Sequence, residues 1–298
     1  MAFSAEESKL VSIFVQSVLY GAYSVLFFVA TYCMLWKSPI GQPPRRTMLY
    51  ISLLMFVVAT MHVAVNFTRI IKAFIKFENA PGGPASFFNE LSEFTQMFGS
   101  TLYVLQTLIG DSMVLYRCYL VWGRNLWVVA FPFVCLLGSI ATGVGILYSF
   151  ARVVPQASIF VVELSHWVTS FFSMTFATNV ICTALVAYRV WSINRKRLSF
   201  RVRKLRPIML LIVESGAFYS ATLMALLILY NVDSWFQYVV LDAVSPIVGI
   251  VFTVIMLRII RGVSSEDGET ALVDSSAIRM SRMPSNSDQK VDTINDTV

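Results

Sequence analysis

Charged residues and histidines are both scarce in this chain. Charged residues make up 13% of its 298 residues and hydrophobic residues 57%, whereas an average soluble domain has about 25% charged residues. The chain has two histidines and no His-Glu-x-x-His sequence, so it lacks the usual ligands of a membrane zinc hydrolase.

No lysine lies near the middle of an apolar run, which excludes the Schiff base of a retinal protein. We therefore expect no enzyme activity and no cofactor or metal. A site made by His62, His166 and Asp111 is the weaker alternative.

Cysteine is also rare and lies in positions that disfavour disulfides. The four cysteines lie inside or at the ends of apolar runs, at Cys33, Cys118, Cys135 and Cys182. An extracellular disulfide needs cysteines in segments outside the membrane. We expect these thiols to act as small buried hydrophobic groups.

Long apolar runs dominate what is present. A helix needs about 20 mainly apolar residues to cross a bilayer, and seven runs are long enough. They span about 11–36, 47–71, 101–122, 127–149, 165–190, 207–230 and 237–260. The sequence thus predicts an all-α fold, a seven-transmembrane-helix bundle over 11–260. Residues 1–10 form a short extracellular N-terminus, and 261–298 form a disordered cytoplasmic tail poor in aromatic residues.

The basic residues predict the orientation of the bundle. Fifteen Lys and Arg residues flank the runs on one side and five on the other. The segment 189–206 alone, RVWSINRKRLSFRVRKLR, carries eight of the fifteen. Because positive charge is retained in the cytoplasm, we expect the N-terminus outside and the C-terminus inside. The +6 net charge is explained by these flanks, so it does not indicate a nucleic-acid partner.

Polar residues inside the runs predict a site in the middle or outer half of the membrane. An ionised carboxylate in hydrocarbon costs roughly 2.5 kcal/mol or more, so Asp111, in the central third helix, and Asp242 should face protein or water. His62 and Asn66 lie one turn apart, as do Thr107 and Asp111, and Thr175 and Asn179. The candidate ligand-binding residues are Asp111, Asp242, His62, Asn66, Thr107 and Asn179. A network of interhelical hydrogen bonds without a ligand is the alternative.

Three further residues suggest a switch. Arg117 and Glu214 fall at similar depths and could form an ion pair between helices three and six. Pro246 lies inside the seventh run, where proline removes a backbone hydrogen bond and bends the helix. A fixed bend is the alternative to a hinge. The basic segment 189–206 is either an anchor on anionic lipid or a docking site for a cytoplasmic protein.

Four segments carry a resemblance to a known family. They are LYVLQTLIGDSMVLYRCYLVWGR (102–124), FFSMTFATNVICTALVAYRVW (171–191), LRPIMLLIVESGAFYSATLMALLILY (205–230) and QYVVLDAVSPIVGIVFTVIMLRI (237–259). These segments resemble a family of uncharacterised seven-helix integral membrane proteins of basidiomycete fungi. The resemblance implies the fold and no particular activity.

The chain is also similar in outline to G-protein-coupled receptors. Arg117, in Tyr116-Arg117-Cys118-Tyr119, resembles their acidic-Arg-aromatic motif. Tyr116 replaces the acidic residue, and Ser245-Pro246 stands where receptors carry Asn-Pro followed by Tyr.

These features favour a multi-pass membrane protein, in the plasma membrane more readily than in an internal one. The leading interpretation is a receptor-like sensor of an unknown small ligand that signals through 189–206. A small-solute transporter or channel-like protein and a non-catalytic membrane scaffold are the alternatives.

Overall fold

Helices dominate the structure because lipid offers the backbone no hydrogen-bond partner, and a helix satisfies its own peptide groups. In a computed structural model, the described residues contain helices and no strand. The structure describes residues 5–36, 43–77, 87–88, 93–152, 158–195, 200–232 and 234–258. The predicted tail, 261–298, lies outside them.

Seven long helices follow one another along the described chain. They are α1 Ala5–Trp36, α2 Pro43–Ile71, α3 Phe94–Val121, α4 Leu126–Arg152, α5 Ser158–Arg195, α6 Phe200–Asn231 and α7 Gln237–Arg258. A π-helical turn, Lys72–Lys76, continues α2. Two segments predicted to lie outside the helices belong to helices in the structure. Residues 5–10 belong to α1, since the polar side chains Ser8 and Ser12 pack inside the bundle. Most of 189–206 belongs to α5 and α6 instead of a loop.

Six of these helices, among the described residues, are long and apolar enough to cross a membrane, all but α3. Large apolar side chains such as Phe14, Phe28 and Phe131 are exposed on the outer surface, where lipid would cover them. These helices indicate a multi-pass integral membrane protein. Helix α3 differs because its buried face carries Gln106, Asp111 and Arg117, and such polar side chains lower its mean hydropathy.

Helix α3 is nevertheless at the centre of the bundle. It packs against α2, α4 and α5, and the Gln106 side chain reaches the Ser245 carbonyl of α7 at 3.4 Å. The predicted central position of this helix is therefore confirmed. Its buried side chains therefore bring polar groups into the interior of the bundle.

A tight turn joins α3 to α4. Gly123 has φ 65°, a backbone conformation that glycine adopts without steric cost, and its N–H donates to the Leu120 carbonyl at 3.1 Å. The Asn125 side chain then accepts the Trp127 N–H at 3.1 Å, which caps the start of α4. With no intervening loop, α3 and α4 run antiparallel side by side.

Helices α1 and α7 approach closely at Gly249. A Cβ added there would lie 2.5 Å from Cζ of Tyr23, whose side chain is fully buried. Small residues allow such close packing in membrane bundles. Gly21 of α1 has open space instead, with no atom within 4 Å of an added Cβ.

We predict that Gly249→Ala lowers the thermal stability of the purified protein and that Gly21→Ala does not. Overpacking a close contact costs about 1–3 kcal/mol, which exceeds the gain of up to about 1 kcal/mol from replacing a helical glycine. Thermal unfolding of both variants beside the unmodified protein measures the difference. Equal melting temperatures for all three proteins would contradict the close α1–α7 contact.

Candidate functional site: an Asp242-centred cavity

Asp242 joins three helices through its carboxylate. Ser12 Oγ of α1 donates a short hydrogen bond to Oδ2, and Asn66 Nδ2 of α2 donates to Oδ1 at 3.1 Å. His62 Nε2, also on α2, lies 4.0 Å from Oδ1. Asp242 itself is on the first turns of α7 and is 6% exposed. One side chain thus connects α1, α2 and α7.

The hydrogen bonds around Asp242 define which His62 nitrogen accepts. A carboxylate accepts hydrogen bonds, so Asn66 presents its NH₂ group to Asp242, and the same group donates to Gln16 Oε1 at 3.0 Å. Gln16 therefore presents its own NH₂ group to His62 Nδ1, also at 3.0 Å. An amide nitrogen only donates, so Nδ1 accepts. A neutral His62 then carries its proton on Nε2, directed toward Asp242.

Two cations lie beside this network. Lys9 Nζ of α1 lies 3.9 Å from the centre of the Tyr238 ring, a cation–π geometry. Arg69 of α2 is 6% exposed. Within the described part of the chain it forms neither a hydrogen bond nor an ion pair, and its buried Nε has no partner.

These groups line a cavity of about 370 Å³. It lies at the end of the bundle where α1, α3, α5 and α7 begin and α2, α4 and α6 end, which we call the Asp242 end. One part of the lining is polar and includes Lys9, His62, Asn66, Arg69, Gln96 and Asp242. The other part is apolar and includes Val104, Ile146, Phe150, Leu164, Phe171 and Phe172. A volume of this size and a mixed lining are typical of small-molecule sites.

Asp111 lies in a second, closed cluster between α3 and α5. Its side chain is fully buried, and Oδ1 accepts a hydrogen bond from Asn179 Nδ2 at 2.7 Å. Asn179 also donates to the Thr175 carbonyl at 3.0 Å. In the same cluster Asn179 Oδ1 is buried without a hydrogen-bond partner.

The structure therefore divides the six predicted ligand-binding residues into two groups. His62, Asn66 and Asp242 line the cavity, whereas Thr107, Asp111 and Asn179 do not. We expected one site that contains both Asp111 and Asp242, but the structure places the two carboxylates in separate clusters. Tyr103 lines the cavity one turn before Thr107 on the same face of α3, and its ring packs edge-on against Phe172. We infer that these two rings close the cavity on the side of Asp111 and form its floor.

The expected ion pair between Arg117 and Glu214 is also absent from the described residues. Glu214 is exposed, whereas Arg117 is 7% exposed and its guanidinium lies 5.0 Å from the centre of the Phe252 ring. Similar depth along two helices did not place the side chains on facing surfaces. Pro246 lies inside α7 and is buried.

The residues missed by sequence reasoning are Lys9, Ser12, Gln16 and Arg69. A signal was present, since Ser8, Ser12 and Gln16 recur every four residues and so share one face of α1. All three are buried. The charged end residues Lys9 and Arg69 gave no comparable signal, since basic residues at span ends are usually solvated anchors.

Nothing in the described residues forms a metal site. No group of three or more His, Cys, Asp or Glu side chains in that part of the chain is arranged to hold an ion. His62 is buried while His166 is exposed, so the two histidines do not converge.

Comparisons of the chain with protein-family models, with curated proteins and with solved structures find no match. The resemblance to a fungal seven-helix family accordingly stays a prediction. The cavity combines polar groups on one side with apolar walls on the other.

We predict that Asp111 and Asn179 are energetically coupled. In membrane proteins such interhelical hydrogen bonds are worth about 0.6 kcal/mol on average and up to about 1.7 kcal/mol. A double-mutant cycle of Asp111→Ala and Asn179→Ala, measured by reversible unfolding in mixed micelles, should give a coupling energy in this range.

The matched control pairs Asp111→Ala with Asn66→Ala. Asn66 belongs to the Asp242 network and contacts none of the Asp111 cluster, so the two effects should add to within about 0.5 kcal/mol. Coupling of Asp111 to Asn66 that equals its coupling to Asn179 would refute the division into two clusters.

Proposed function

We propose that this protein is a seven-span, receptor-like sensor with the Asp242 end outside the cell and the C-terminus in the cytoplasm. Helix α3 is the seventh span. At 28 residues and about 1.5 Å per residue it exceeds the roughly 30 Å of a bilayer's hydrocarbon core, and its polar side chains face the other helices. The excess of basic residues on the opposite flank supports this orientation. The plasma membrane is the proposed location.

The observation that carries the proposal is the cavity around the Asp242 network. Its lining comes from α1 to α7 inclusive, with Leu226 and Tyr230 contributed by α6. A ligand there would touch the inner faces of all seven helices. Differential contact with two arrangements of these helices is what a sensor requires.

The position of Asp242 also links the cavity to Pro246 of α7. Proline has no N–H, so Pro246 cannot donate to the carbonyl four residues earlier, which is that of Asp242. A ligand that changes the contacts of Asp242 therefore acts at the weakest point of the α7 backbone. We propose that α7 changes its bend at Pro246 when the cavity is filled.

The far half of α7 offers a route to the cytoplasmic end. Phe252 lies under the Arg117 guanidinium of α3, and Trp122, just beyond α3, donates from Nε1 to the Leu185 carbonyl of α5 at 3.2 Å. Arg189 of α5 lies 5.3 Å from the Trp122 ring centre. In this proposal, movement of Phe252 shifts α3 against α5 and alters the segment 189–206. A cytoplasmic protein would bind there.

The closed floor formed by Tyr103 and Phe172 favours a sensor over a small-solute transporter. A transporter needs a path past this floor, whereas a sensor needs only a binding site. Uptake of solute into liposomes containing the purified protein alone would favour the transporter. Co-purification of a cytoplasmic partner that depends on 189–206 would favour the sensor.

We predict that a thermal-shift screen of the purified protein will find small molecules whose stabilising effect requires Asp242. Asp242→Asn should reduce the shift, because the amide cannot accept hydrogen bonds from both Ser12 and Asn66 and so disturbs the arrangement of the cavity wall. A ligand at 100 times its Kd stabilises by about 2.7 kcal/mol, a shift that such a screen resolves.

Asp111→Asn is the matched control, since it also removes a buried carboxylate but one that does not line the cavity. Cavity ligands should keep their effect in this variant. A screen with no stabilising molecule, or with shifts that depend on Asp111 and not on Asp242, would refute the proposed site.

A further inference from the structure

The charges of the cavity do not balance. Among the described residues of the lining, Lys9 and Arg69 supply two cations, while Asp242 supplies the one carboxylate. Asp242 already accepts from Ser12 and Asn66, and the His62 ring faces it as well. The Asp242 carboxylate is therefore occupied by α1 and α2, and among the described residues Arg69 has no carboxylate within ion-pair distance.

A second carboxylate that acts on Arg69, that of Glu93, is also occupied. Its Oε1 accepts from Lys72 Nζ at 3.0 Å, and its Oε2 accepts from Thr95 Oγ1 at 2.6 Å. Arg69 lies beyond ion-pair distance of both Glu93 and Asp242 in the described structure. A buried guanidinium without a close partner is destabilising, and an anion in the cavity would offset that effect.

The apolar lining of the rest of the cavity indicates the chemistry of the rest of the ligand. Beyond the polar part the walls are aliphatic and aromatic, with Ile146, Phe150, Leu164 and Phe171. A cavity of about 370 Å³ is near the lower end of the roughly 300–1,000 Å³ of small-molecule sites, so it fits a ligand of modest size. A second charge on the ligand would have to lie against these apolar walls.

We propose that the cavity binds an amphiphilic mono-anion, with its acidic head at Arg69 and Lys9 and its apolar body against α4 and α5. This inference rests on the proposed ligand cavity and specifies the class of ligand. The anion comes either as a free organic acid or as the head of a membrane lipid that enters between helices.

The test uses the full chain in nanodiscs of neutral phosphatidylcholine. Binding of decanoate, which has 12 non-hydrogen atoms, is measured by calorimetry against empty nanodiscs. Decanol and decyltrimethylammonium are the neutral and cationic probes with the same chain length. Decanoate should bind at least about tenfold more tightly than either one, the difference that a charge-assisted hydrogen bond provides.

Variants then locate the head of the ligand. Arg69→Gln should weaken decanoate binding about tenfold or more, and Arg69→Lys should lose less, because it keeps the charge. Lys76→Gln removes an exposed cation from the same end, outside the cavity lining, and should leave binding unchanged. Thermal unfolding of each variant checks that it is folded. If Arg69→Gln does not fold, decanoate binding by Arg69→Lys is compared with that of the unmodified protein instead.

Replacing part of the neutral lipid with phosphatidylglycerol distinguishes the two sources of the anion. If phosphatidylglycerol weakens decanoate binding in the unmodified protein and not in Arg69→Gln, the anion is the head group of a lipid. If decanoate binding is unchanged by phosphatidylglycerol, the anion is a free organic acid. Equal or tighter binding of decyltrimethylammonium, or equal losses in Arg69→Gln and Lys76→Gln, would overturn the inference. Suppose that one of these results overturns the inference. If the ligand screen nevertheless finds Asp242-dependent molecules, only the anionic class of the ligand is wrong. If the screen finds none, the proposed function is wrong as well.

Discussion

The pairing of polar groups inside an apolar bundle is the constraint on which this structure depends. A carboxylate in hydrocarbon needs hydrogen-bond donors or water, and the Asp242 carboxylate finds donors on two other helices. Satisfying it therefore places α1, α2 and α7 in one arrangement. The same requirement turns the polar side of α1 inward and leaves side chains such as Phe14 on the lipid-facing surface.

The polar contacts define the arrangement more than they stabilise it. At about 0.6 kcal/mol for each interhelical hydrogen bond, the contacts around Asp242 add only modestly to the free energy of unfolding. Their effect is on specificity, because a rotation of α1 by one residue would bury apolar side chains against Asp242 and expose Ser12 to lipid. Close contacts such as Gly249 against Tyr23 then hold the helices at short distances.

The sequence predicted the helical class and part of the site for physical reasons. Apolar runs of sufficient length predict helices, and depth combined with one-turn spacing correctly placed His62, Asn66 and Asp242 near one another. Asp111 and Asn179 were likewise expected in the same part of the membrane and are hydrogen-bonded. Depth, however, says nothing about rotation around a helix axis. The floor of Tyr103 and Phe172, the exposure of Glu214 and the inward position of Arg69 all depend on that rotation and on side-chain packing.

Chemical labelling of two introduced cysteines tests the central claim most directly. Ser100→Cys lies in the cavity lining and Thr107→Cys lies below the floor, both on α3, while three of the four native cysteines are buried. In intact cells, a membrane-impermeant maleimide should label Ser100→Cys well above the unmodified protein and leave Thr107→Cys at background. Equal labelling at both positions, or labelling of Ser100→Cys only after the membrane is permeabilised, would contradict a cavity that opens outward above a closed floor.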